Sequence, residues 1–463
     1  YFIDLALSLL GRYKGGPAKA AVLGSAMTGM ISGSSIANVV TTGTFTIPLM
    51  KKIGYPPTKA AAIEVAASTN GQIAPPIMGA AAFIIAEYVN VPYLEVVKAA
   101  IVPAFAAYAA LFFITHLEAS KLGLKGIAKK DLPEFFKILV NGIHHFIPIG
   151  FLIHQLVFLR HTPQKSVSIA ILILALIMLT QHAIKAFLYK KPALPAFKQG
   201  FLDIISSLSD GGKNMVAVAL ATASAGIIVG IVALGLGGLI TQVISVLSMG
   251  NIYLMLIITA MASLILGMGL PTTANYIVMA SLTAPAIVAI AYDFNFAVPL
   301  ISAHLFCFFF GILADDTPPV GLAAYAASAI AKSPPIKTGV QGFIYDIRTA
   351  ILPFMFIFNA ELILYNVNNF PQAVLIFVTA CLGSFAFASI TQGWFVVKNK
   401  FYDYVLLAVV TIMMFLPSSV ACQLGIAHQN RYYVYLIGLA MYGLIYITQK
   451  SREKKHLQHP LCV

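Results

Sequence analysis

Long apolar runs dominate the chain. Residues 92–116, 138–159, 167–188, 214–246, 350–365, 373–394, 404–422 and 432–447 approach the ~20 apolar residues that a helix needs to cross a bilayer. Alternation of apolar and polar positions is absent, so these runs predict helices and not barrel strands. Four further runs are apolar but interrupted. Residues 19–50 are broken at Ser32-Gly33-Ser34-Ser35, and 58–88 at Asn70-Gly71-Gln72 and Pro75-Pro76. Residues 252–292 are broken between Gly267 and Thr273, and 297–330 at Asp315-Asp316-Thr317-Pro318-Pro319. Several resulting pieces are about 13–15 residues, too short to span alone. Irregular backbone at membrane depth survives only inside protein or beside a polar cavity, which makes such breaks a pointer to a transporter binding site.

The four breaks form two pairs. SGSSIANVVTTGTFTIP (32–48) resembles GLPTTANYIVMASLTAP (269–285), with Asn38 on Asn275 and Pro48 on Pro285. Downstream, Pro75-Pro76 matches Pro318-Pro319 and Pro103 matches Pro353, in the same order. This predicts duplicated halves. Lysines at 121, 125, 129, 130 and 137, and at 185, 190, 191 and 198, mark one side as cytoplasmic. Lys51, Lys52, Lys59, Lys332, Lys337, Arg348 and the tail Lys450, Arg452, Lys454 and Lys455 then fall on that side only if 19–50 and 252–292 enter and return as hairpins. The hairpins enter from opposite faces, as in an inverted repeat whose site lies at the midplane. The expected organisation is a first repeat at 1–116 (hairpin 19–50, broken helix 58–88, helix 92–116) and linker and scaffold helices at 117–250. A second repeat follows at 251–366 (hairpin 252–292, broken helix 297–330, helix 346–366), then a C-terminal extension at 367–463 with three membrane helices. Few residues precede the first hairpin, so scaffold helices upstream of Tyr1 are expected.

Composition sharpens the class. AVILMFWYC make up 59% and charged residues 10%, too few charges to cover a soluble protein of 463 residues. The net charge of +13 reflects scarce acids and fits cytoplasmic loops, not nucleic acid. Cys307, Cys381, Cys422 and Cys462 share no CxxC spacing, so neither a zinc site nor a disulfide framework is indicated. No cofactor is called for.

The chemistry concentrates at the breaks. Ser32, Gly33, Ser34, Ser35 and Asn38 form a small polar tip whose oxygens suit a hard cation such as Na+. The helix that follows offers its N-terminal amides to an anion. Gly269, Pro271, Thr272, Thr273 and Asn275 repeat this at the second tip. Close helix packing or a plain turn is the bland alternative. Each diproline predicts an unwound segment whose preceding carbonyls lose helical partners. Ser68, Thr69, Gly71 and Pro75, and Thr317, Pro318, Val320 and Gly321, are the candidate ion ligands there; a structural kink is the alternative. Glu64, Asp315 and Asp316 are acids inside apolar runs, which are costly and usually functional. They would serve a proton-coupled carrier or an ion channel, the second reading of the chain. A metal-dependent prenyltransferase would need a second acidic cluster, and Asp203 and Asp210 are too isolated. A membrane enzyme lacks a nucleophile–base pair in the sequence. His304 reads as core or substrate contact, and His144, His145 and His154 as packing.

GSAMTGMISGSSIANVVTTGTFTIP, NGQIAPPIMGAAAFIIAEY and TPPVGLAAYAASAIA resemble the large membrane subunit of TRAP transporters. The whole resembles the fused permeases that work with TAXI-type binding proteins, over about residues 4–365. The resemblance implies a bacterial inner-membrane, Na+-driven importer of organic acids with an elevator mechanism; the basic tail independently places the C-terminus in the cytoplasm. It implies a periplasmic TAXI-type substrate-binding protein and a small or N-terminal membrane subunit as partners, besides the lipid bilayer. Residues 32–38 and 269–275 match the family's hairpin tips, and 68–76 and 317–321 its unwound segments. Many dicarboxylate-type members carry an acid near the second tip, where this chain has Pro271-Thr272-Thr273.

Overall fold

The computed structural model describes residues 1–188, 193–231, 234–235, 237–249, 251–270, 272–293 and 296–458. These are helical, with one isolated bridge between Trp394 and Lys398 and no strand among the described residues. α1 (Phe2–Leu10) leads to α2 (Gly16–Ser32) and α3 (Ser35–Lys52). α4 (Pro57–Gly71) and α5 (Ala81–Val89) flank an irregular segment, and α6 (Tyr93–Lys121) is long. α7 (Phe135–Gly142) and α8 (Phe146–Ile153) precede α9 (Pro163–Leu188), α10 (Ala193–Ile231) and α11 (Gly237–Leu247). The element order of the first part then recurs: α12 (Ile252–Gly267), α13 (Thr272–Leu282) and α14 (Ala284–Asp293), an irregular segment between α15 (Leu300–Leu313) and α16 (Leu322–Ala331), and the long α17 (Pro335–Phe358). α18 (Phe370–Gln392), α19 (Phe401–Phe415), α20 (Pro417–Gln423) and α21 (Tyr433–Gln458) close the chain.

Local chemistry sets the boundaries that matter. Gly33 at φ 63° ends α2 in the left-handed conformation open to glycine. Ser34 then accepts the Ala37 amide at 3.3 Å and opens α3. Pro57 and Pro335 occupy first-turn positions where the missing N–H costs nothing. Asn251 caps α12 by accepting the amides of Tyr253 and Leu254.

Six described helices are long and apolar enough to cross a membrane, or seven if α19 and α20, bent by 108°, make one span. The chain is an all-α polytopic membrane protein. Its periphery is apolar: Leu172 and Leu194 are 70% and 83% exposed, as lipid contact requires. Its centre is less apolar. Residues 60–71 of α4 are all buried although they include Glu64, Ser68, Thr69 and Asn70. Residues 301–313 of α15 are buried without a gap. α4 packs against α2, α3, α16 and α17, and the alanines at 60–62, 66 and 67 let those backbones approach closely.

Four expectations change. The helix expected at 346–366 runs from Pro335 to Phe358, because Pro334-Pro335 is a start signal and Pro353 is absorbed inside the helix. Arg348, counted as a loop base, is 1% exposed within that helix. The return arm of the second hairpin divides at Thr283, since Pro285 removes the N–H that Ser281 would have received. Pro48, its counterpart, leaves α3 continuous. The run at 404–422 bends at Leu416 for the same reason, Pro417 following.

Candidate substrate and ion site

The two hairpin tips converge on one carboxylate. After α15 the chain turns through Asp315-Asp316-Thr317 into the cis Pro318-Pro319 bond. Asp315 is 4% exposed, and its Oδ2 accepts the Ser35 hydroxyl at 2.6 Å and the Thr272 hydroxyl at 3.3 Å. Ser35 is the first residue of α3 and Thr272 the first of α13. Two helix N-termini, one from each tip, thus open onto an acid supplied by the second unwound segment.

The paired asparagines are both buried. Asn38 donates its amide nitrogen to Ser25 O at 2.9 Å and lies 2.8 Å from Ser25 Oγ and 3.2 Å from Ser68 Oγ. Asn275 donates to Gly311 O at 2.8 Å. Both Oδ1 atoms are buried without a hydrogen-bond partner, as is Thr69 Oγ1. An orphaned buried acceptor costs about 1–3 kcal/mol, so a ligand that engages these oxygens recovers that energy.

The first unwound segment holds a cis Pro75-Pro76 bond. Its carbonyls keep more partners than the sequence suggests. Thr69, Asn70 and Gly71 accept the amides of Gln72, Ile73 and Ala74 at 3.3, 3.2 and 3.1 Å. The helix tightens to three-residue turns and does not open fully, which leaves each carbonyl one lone pair. The first tip rests on the far end of this segment: a Cβ on Gly33 would lie 2.6 Å from the Gly79 Cα. In the second segment the Thr317 hydroxyl donates to Leu313 O at 2.6 Å and Gly321, at φ 38°, opens α16.

Glu64 is fully buried between α3 and α4. The Thr42 hydroxyl bonds its Oε1, Thr46 its Oε2 at 2.6 Å, and Ser68 Oγ lies 3.3 Å from Oε1. No ion pair reaches it among the described residues. Asp316 is also fully buried, and its carboxyl lies beside that of Asp346.

Ser35, Thr272 and Asp315 are therefore brought together, and Asn38 joins Ser68. Ser32 is exposed and bonds only within its own turn. Ser34 serves as a cap, Thr273 is buried beside Thr272, Val320 is half-buried, and Gly269 sits at φ 83°. Pro271 lies outside the described residues. Sequence reasoning missed Asp346 and Thr349 of α17, which hold the side chain of Asn70, and Arg348, which pairs with Asp346. The available signal was an acid and a base inside an apolar helix; the loop-charge count drew attention away from it.

A protein-family model described as the DctM component of the tripartite ATP-independent periplasmic transporters matches residues 1–370. A domain of unknown function, DUF3394, matches residues 373–429. The 2,3-diketo-L-gulonate TRAP transporter large permease protein YiaN of Escherichia coli is 26% identical over 148 residues, 32% of this chain and 34% of that protein. A putative TRAP transporter large permease protein of Haemophilus influenzae is 29% identical over 138 residues, 29% of this chain and 32% of its own length. The chain spans about a third of the length of these curated relatives. With the family model covering most of the sequence and the helices suited to a membrane, the chain belongs to the DctM family of TRAP transporter large permease components.

Proposed function

We propose that the chain is the membrane permease of a Na+-coupled, binding-protein-dependent secondary importer of small organic acid anions. The observation that carries this reading is the single Asp315 oxygen bonded to Ser35 of one tip and Thr272 of the other. Cargo that enters between the tips must replace those hydroxyl bonds. An anion there meets the Asp315 carboxylate, and two unit charges 4 Å apart repel by about 4 kcal/mol at an effective dielectric of 20. A cation bound alongside offsets that repulsion, so anion and cation enter together. The unpartnered Asn38 and Asn275 oxygens and the lone pairs left on Thr69 and Gly71 supply ligands suited to Na+.

In this reading the two hairpins and two broken helices move as one body past the outer helices, an elevator motion. A TAXI-type periplasmic protein delivers the cargo, a small membrane subunit completes the scaffold, and the protein sits in the bacterial inner membrane with its C-terminus in the cytoplasm. The family membership supports it. The test is uptake into proteoliposomes that hold the chain with its small subunit and binding protein. Uptake should require an inward Na+ gradient and fail in Ser35→Ala combined with Thr272→Ala. Equal uptake with K+ in place of Na+ rejects the coupling, and full uptake by the double variant rejects the junction.

A further inference from the structure

One stripe of α17 reaches both unwound segments. Gly339, Gly342, Asp346 and Thr349 recur at intervals of three, four and three residues, which puts them on one helix face. A Cβ on Gly339 would lie 3.3 Å from Pro318 Cγ and 3.6 Å from Asp316 O. A Cβ on Gly342 would lie 3.5 Å from Val65 Cγ1 of α4. Further along, Asp346 Oδ1 accepts the Asn70 amide at 3.1 Å, and the Thr349 hydroxyl donates to Asn70 Oδ1 at 3.0 Å. Asn70 Nδ2 also donates to Ala66 O at 2.9 Å. The carboxamide is held at both ends. Its holder is fixed in turn: Arg348 Nη1 lies 3.0 Å from Asp346 Oδ1, and Arg348 Nε donates to Ala107 O of α6 at 3.1 Å. Asp346, Arg348 and Thr349 are all buried.

We propose that α17 is a positioning element for the ion and substrate site: Asp346 and Thr349 clamp Asn70 and so aim the carbonyls of Thr69 and Gly71, while Gly339 lets the same helix bear on the second segment. With the Asn70 side chain fixed, the peptide planes on either side of it have little freedom to turn. A cation held by carbonyl oxygens responds to sub-ångström shifts in their direction. The helix that follows the second broken helix thereby sets the ligands of the first. This rests on the Na+ reading above.

The test compares the purified full-length chain with Thr349→Val, which keeps the shape and removes the donor, and Thr349→Ser, which keeps the donor. NaCl titrations of thermal stability, at ionic strength held constant with KCl, give an apparent Na+ midpoint. Thr349→Val should raise that midpoint about tenfold, the effect of one lost buried hydrogen bond. Thr349→Ser should stay within about twofold of wild type. A role in packing alone lowers stability equally in NaCl and KCl and leaves the midpoint in place, which overturns the proposal. Hydrogen exchange of a peptide spanning residues 66–79 provides a readout that needs no Na+. Thr349→Val should speed it and Thr349→Ser restore it, with peptides from α21 unchanged. If the wild type shows no Na+ stabilisation, the ion reading fails by itself, and the exchange comparison then decides the clamp; unaltered exchange in Thr349→Val overturns it.

Discussion

The two halves of the molecule repeat one order of elements but hold their tips differently. Around the first tip, Asn38, Ser25, Ser68, Thr42, Thr46 and Glu64 form a continuous buried polar chain. Around the second, Asn275 reaches one carbonyl, and its neighbour Tyr276 pairs with His304 at 2.8 Å amid a wall of phenylalanines. The carboxylates are distributed the other way. Asp315 and Asp316 lie in the second unwound segment, while the first segment contributes amides and hydroxyls. The shared junction thus joins an acid of the second unwound segment to one hydroxyl from each tip. The first tip is predicted to be the stiffer partner and the second the more responsive.

The largest expected effect falls on the group that both halves share. Asp315→Asn should lower uptake about 100-fold by weakening two hydrogen bonds to a charge, with elution on size exclusion unchanged. Uptake above a tenth of wild type would detach the junction from transport. The glycines come next. Gly33→Val forces a side chain onto the Gly79 backbone at a left-handed residue, and should cost about 3 kcal/mol in thermal unfolding. Gly269 has open space around it at φ 83°, so Gly269→Val should cost only about 1–2 kcal/mol. Equal losses would erase the contrast between the tips. The asparagines sharpen it further. Asn38→Ala removes a nitrogen with three close acceptors and should cost about 2 kcal/mol, whereas Asn275→Ala removes one bond and should cost about 1 kcal/mol. The smallest effect concerns the arms. Pro285→Ala restores a helical N–H between α13 and α14 and should slow hydrogen exchange there, with a stability change under about 1 kcal/mol. Pro48→Ala should leave the exchange pattern of α3 as it is.

The breaks were legible because glycine and proline write them directly: Gly33, Pro75-Pro76, Gly269 and Pro318-Pro319 each fall between helices in the structure. The offset between Asn38 and Asn275 was equally readable, and it located two buried oxygens without a hydrogen-bond partner. Asp315 stood out as an acid at membrane depth, although its two hydroxyl partners, 280 and 43 residues away, could not be read from spacing. The α17 clamp was invisible for a similar reason. Asn70 meets Asp346 across 276 residues, and Arg348 looked like a loop base because a charge count does not see burial. Local punctuation reports where a helix stops; only packing reports which side chains then face each other.

The contact between Gly33 and Gly79 brings backbone against backbone with no side chain interlocked. On the transport reading proposed above, lifting that tip would part this backbone contact and draw Met30 and Ile36 off the core they pack against. The hydroxyl bonds of Ser35 and Thr272 to Asp315 would then be the part of the closure that a guest can replace.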